Sequence, residues 1–169
     1  MKNIGIWLIR IAMLLLLAGL YFGHLASESY RLAEPKSGAM GFLSLRPLHV
    51  SSAYLGIITA GLGFLTLIIQ KKRTTRFGTF LQYLHFTLWI IALTGIFYSY
   101  FTGDFGGREY WEFNPIWALP IFISFIVFLI FYIHQIGFKV KWPVYYWMWL
   151  TGLVFFIFTF IENYLWIFP

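Results

Sequence analysis

Residues 116–137 read IWALPIFISFIVFLIFYIHQIG, without one Asp, Glu, Lys or Arg. The hydrocarbon core of a bilayer is about 30 Å thick, and roughly 20 apolar residues cross it as a helix. Four further runs reach that length, at 4–23, 50–70, 78–101 and 144–168. Helices are the expected spanning form, because lipid offers free backbone groups no partner. No alternating ten-residue pattern suggests a barrel. The reading is an all-α integral membrane bundle of five transmembrane helices, one domain over 1–169. Short breaks make consecutive helices antiparallel neighbours. The break from His24 to His49 is the one long enough for a structured cap.

Composition agrees. Only 11% of the 169 residues are charged, 23% are aromatic, and the mean hydropathy is +0.77. An ordinary soluble domain carries about 25% charged residues, and a chain this short has too little interior to hide the rest. The absence of cysteine excludes disulfides and thiolate metal sites. The net charge of +6 is not a nucleic-acid signal, because its placement marks topology. Lys2, Arg10, Lys71, Lys72, Arg73, Arg76, Lys139 and Lys141 fall on one side of the five runs. Arg31, Lys36, Arg46 and Arg108 fall on the other, with Glu28, Glu34, Asp104, Glu109 and Glu112. The N-terminus is therefore expected inside and Pro169 outside, with a bacterial inner (cytoplasmic) membrane as the setting. The first run has the basic start of a signal peptide. Its length, and the lack of a small-residue cleavage pair after Gly23, favour a retained helix.

Ser52, Gly56 and Ala60 form a small-residue seam that lets another backbone approach. Pro120 is expected to kink the fourth helix or to be tolerated near its start, and Pro143 to open the fifth. Trp111, Trp117, Trp142, Trp147, Trp149 and Trp166 lie near the run boundaries, as an interfacial belt does.

Candidate chemistry rests on few residues. His24 and His49 lie near the outer face. His85 and His134 are expected at similar depths near the inner one. A hydrogen bond to a neighbouring helix is the ordinary reading of His85 and His134, and an interfacial loop that of His24. A membrane imidazole is costly unless paired or ligating, and neutral imidazole is a common axial ligand of heme iron. His49 differs from the others by its company, Arg46-Pro47-Leu48-His49. A guanidinium there suits a heme propionate while the imidazole reaches the iron. In the loop 103–113, Glu109 and Glu112 are candidates for a hard cation such as calcium, although a solvated loop with a local salt bridge explains the spacing as well. Glu162, the one acid inside a run, is either a functional intramembrane carboxylate or a side chain snorkelling to the interface.

At these residues the chain resembles the N-terminal part of subunit I of the heme–copper oxidase superfamily, nearest the cbb-type oxidases and nitric oxide reductases. Three blocks carry the resemblance: residues 45–50, LRPLHV; residues 107–113, GREYWEF; and residues 143–149, PVYYWMW, continuing to 162–166, ENYLW. The resemblance implies that His49 is an axial ligand of a low-spin heme b and that Arg46 contacts its propionates. It also implies that Glu109 or Glu112 helps hold calcium nearby. It departs from the family where the late helices would follow. The second axial histidine, the high-spin heme ligand and the histidines of the metal centre are missing, so no catalytic residue is assigned and the chain is not expected to reduce oxygen or nitric oxide alone. The leading expectation is an electron-transfer subunit with a second membrane subunit as partner. Two others stand beside it. One is a self-sufficient b-type cytochrome with His24/His49 and His85/His134 heme pairs. The other is a heme-free membrane scaffold or assembly subunit.

Overall fold

A computed structural model describes residues 4–31, 41–70, 75–106, 108, 110–137 and 142–164. Five helices account for most of them: α1 Ile4–Arg31, α2 Phe42–Ile69, α3 Arg76–Thr102, α4 Ala118–Ile136 and α5 Val144–Tyr164. All five are long and apolar enough to cross a membrane. Among the described residues there is no strand, apart from an isolated bridge between Phe105 and Phe113.

Two helix ends depart from the apolar runs. α1 continues eight residues past Gly23, and α2 begins eight residues before Val50. The cap expected between His24 and His49 is therefore largely helix. No Gly or Pro interrupts 24–31, and Glu28 and Arg31 pair along the surface at 3.2 Å. Hydropathy marks where a helix crosses lipid, whereas the helix itself runs on until something breaks it. Pro47 consequently lies inside α2 rather than at its mouth. Having no N–H, it leaves the Leu43 carbonyl without its usual helical donor. Pro120 is the third residue of α4, after a single 3-10 turn at Pro115–Trp117, where a backbone N–H has no helical acceptor. Gly137 ends α4 at φ +70°, a conformation that other residues rarely adopt.

The helices gather into two compact units, Met1–Ile68 with Thr94–Asn114, and Ile69–Leu93 with Pro115–Pro169. The first unit is built on a seven-residue repeat. α1 buries Gly5, Ala12, Gly19 and Ala26, with Leu8 and Leu15 between them. α2 buries Leu48, Leu55, Leu62 and Ile69 in one row and Leu45, Ser52, Thr59 and Thr66 in the next. A period of 3.5 residues keeps two helices in contact over many turns. The small residues let the backbones close: a Cβ on Gly5 would lie 2.8 Å from the Gly63 carbonyl oxygen, and one on Gly56 3.0 Å from Leu16. The Ser52–Gly56 seam is thus occupied by α1 of the same chain. Thr59 and Thr66 donate back to the carbonyls of Leu55 and Leu62 at 2.6 and 2.7 Å, so neither hydroxyl is left unpaired.

The second unit packs by aromatic rings. Phe125 stacks on Phe156 with centroids 4.2 Å apart, and Trp89 meets the edge of Phe125. The Tyr132 hydroxyl donates to the Tyr146 carbonyl at 2.6 Å, and the Trp142 indole to the Gly137 carbonyl at 2.9 Å.

Candidate functional site

The first unit holds the candidate site. In α2, the His49 ring turns towards α1. Its Nδ1 lies 2.7 Å from the Gly19 carbonyl oxygen. A carbonyl only accepts, so Nδ1 carries a proton, and in the neutral ring Nε2 keeps its lone pair. Gly23 makes room for the ring: a Cβ there would lie 2.7 Å from Nδ1 and 2.8 Å from Cε1. Gly19 and Gly23 stand four residues apart, so both face α2 from consecutive turns. Neither was singled out from the sequence, although the spacing Gly-x-x-x-Gly in an apolar helix is itself a close-approach signal.

Arg46 lies one turn before His49 and forms an ion pair with Glu112. The pair joins α2 to the loop after α3, and with it two of the sequence blocks that carry the resemblance. The loop is built to present that carboxylate. The Ser99 hydroxyl, in the last turn of α3, donates to the Asp104 carbonyl and accepts from Asn114 N–H at 2.8 Å. Asn114 Nδ2 donates to Asp104 at 2.9 Å, and Gly106 N–H to the Glu112 carbonyl at 3.2 Å. Tyr110 turns the chain at φ +69°, a costly conformation for a bulky side chain that the surrounding bonds hold in place. Tyr54 of α2 packs against Trp111 with the rings tilted and their centroids 5.0 Å apart. The loop is therefore pinned to α3 although most of its described residues are exposed. A cavity of about 510 Å³ opens here, lined by Phe42, Leu43, Arg46, Pro47, Phe105 and Glu112.

No protein-family model, curated protein or solved structure matches the chain.

The other expected residues fall elsewhere. His24 is exposed on α1, about 100° round the helix from Gly23. His85 and His134 belong to the second unit and are not level with each other. His85 meets Ser124, and His134 meets Thr75 at 2.7 Å. These contacts are ten residues apart on both helices, or about 15 Å along the axis. Two nitrogens bound to one metal ion lie roughly 4 Å apart at most. The structure thus does not bring the inner pair together, because His85 lies deeper than its place in the apolar run suggested. Glu162 is exposed near the end of α5. Glu109 lies outside the described residues, as do Lys2, Glu34, Lys36, Lys71, Lys72, Arg73, Lys139, Lys141 and Trp166. Among the described residues, no group of three His, Asp or Glu side chains could hold a metal ion. Glu112 is already engaged by Arg46.

His49 does not line the cavity, which opens beside Arg46 and Glu112, while its own ring packs against Gly19 and Gly23. The site thus offers an imidazole held at Nδ1, a guanidinium one turn away already paired with Glu112, and a cavity on the adjacent turns that this ion pair helps to line.

Proposed function

We propose that the chain is a membrane electron-transfer subunit in which His49 ligates a low-spin heme b, with a second membrane subunit supplying the opposite ligand and the catalytic centre. The proposal includes a bacterial cytoplasmic membrane, with the N-terminus inside. The observation that carries it is the bond from His49 Nδ1–H to the Gly19 carbonyl. Metal-ligating histidines almost always give their other N–H to such an acceptor, which fixes the ring and raises the basicity of the ligating nitrogen. A bound heme b would supply one-electron transfer. The chain's own residues hold the imidazole still through Nδ1 and place a positive charge one turn along. Glu112 orients that guanidinium, which stays about half exposed, at 44%. A role for Glu109 and Glu112 in holding calcium belongs to the same proposal and rests on the resemblance.

The test is purification of the tagged chain with its partners from native membranes, followed by a reduced-minus-oxidised spectrum. A b-type band in the wild type, lost in His49→Ala, is expected. A heme-free wild-type complex, or a band indifferent to the substitution, would overturn the proposal. A heme-free scaffold is the second reading, favoured by one observation: the His49–Gly19 bond also closes the α1–α2 seam. A stable, heme-free protein holding a specific helical partner would establish it.

A further inference from the structure

The second unit contains a second imidazole with a fixed tautomer, and the proposed heme site makes no use of it. His85 is 1% exposed, at the middle of the α3–α4 contact. Its Nδ1 lies 2.7 Å from Ser124 Oγ and 3.1 Å from the Ser124 carbonyl oxygen. Ser124 Oγ is 3.3 Å from the His85 carbonyl oxygen. One proton arrangement satisfies all three contacts: Nδ1–H donates to both Ser124 oxygens, and the serine hydroxyl donates to the His85 carbonyl. The proton therefore resides on Nδ1, and Nε2 presents a lone pair. That atom is fully buried with no protein partner, and Phe128 and Trp89 flank the ring at 4.7 and 6.3 Å.

One turn earlier on α3, Gln82 is 3% exposed, and its Nε2 also lacks a partner. Residues three apart on a helix have Cβ atoms about 5–6 Å apart and share a face. A buried donor and a buried acceptor, not bonded to each other, thus stand on neighbouring turns. Each unmade bond in an apolar interior is costly, and one water satisfies both: it accepts from the amide and donates to the imidazole. Rings cannot do this, and the nearest serine is already committed.

We propose that Gln82 and His85 form an internal water site within the span, in which Gln82 Nε2–H donates to the water and the water donates to His85 Nε2. The site gives the apolar interior one base in contact with exchangeable protons. Asp, Glu, Lys and Arg are absent from the described parts of α3 and α4 beyond Arg76 at the start of α3, so no fixed charge on those two helices competes for it.

The test uses the full chain in lipid vesicles, with 15N-labelled histidine and water-edited solid-state NMR. His85 Nε2 is expected at the unprotonated chemical shift, with transfer of magnetisation from water protons. Gln82→Leu, close in volume and without a donor, should abolish most of that transfer while Nδ1 stays protonated. A dry Nε2 in the wild type, a proton on Nε2, or transfer unchanged by Gln82→Leu would overturn the proposal. Should Gln82→Leu fail to fold, the wild-type transfer alone decides.

Discussion

Gly23→Ala tests the geometry of the candidate site with a single methyl group. The new Cβ would lie 2.7 Å from His49 Nδ1, where ordinary contact begins near 3.4 Å. The helix backbones are held by the small-residue seam, so the ring must retreat by about 0.7 Å. The bond to Gly19 then lengthens from 2.7 Å to beyond the roughly 3.2 Å limit of a good N–H···O bond. Losing it costs about 0.5–1.5 kcal/mol, and repacking the ring costs about 1–3 kcal/mol. Alanine returns about 0.5–1 kcal/mol of helix preference. The net expectation is a loss of about 0.5–4 kcal/mol. Gly61→Ala is the control: a Cβ there meets nothing within 4 Å, so only the helix preference remains. Unfolding in mild detergent measures both variants. If His49 also ligates iron, releasing its Nδ1 should weaken metal binding by about 10–100-fold, the usual cost of losing such a partner. Equal stability of the two alanine variants would refute the close-approach argument. Lost stability with unchanged heme content would refute the ligand assignment alone.

Ser51 and Tyr100 share a buried 2.6 Å hydrogen bond, and a cycle of Ser51→Ala and Tyr100→Phe should give a coupling of about 0.6 kcal/mol, up to about 1.7, in the same unfolding assay. Additive effects would show that the bond contributes nothing. Glu112→Gln should cost under about 1 kcal/mol, since Arg46 is half exposed and water screens the pair. Glu112→Lys, which sets two cations face to face, should cost more, and equal thermal midpoints for the two variants would contradict the pairing. The chain has no cysteine, so Thr75→Cys and Asp104→Cys can each be read singly with an impermeant maleimide. In intact cells Asp104→Cys should label and Thr75→Cys should not; the reverse pattern would invert the proposed orientation.

The five long apolar helices were legible because apolar length alone encodes them. The helix ends were not, since 24–31 and 42–49 are helical without being lipid-like, and hydropathy is silent on such residues. That error moved His49 from the mouth of α2 to its second turn. It did not disturb the Arg46–His49 spacing, which is local to the chain. The Arg46–Glu112 pair spans 66 residues and no local pattern announces it. Its two members were singled out separately, by a proline-histidine company and by a charged loop. The depth of His85 escaped because counting from a run boundary ignores where the partner helix begins. The Gly19–Gly23 spacing was visible and carries the tautomer of His49. A seven-residue reading of α1, through Gly5, Ala12, Gly19 and Ala26, would have found the face on which it lies.

The most direct measurement is a density map of the chain purified with its partners from native membranes. A planar tetrapyrrole is expected, its iron bound by His49 Nε2, with Nδ1 still on the Gly19 carbonyl. A map with His49 Nε2 against lipid or protein, and no tetrapyrrole beside α2, would contradict that expectation.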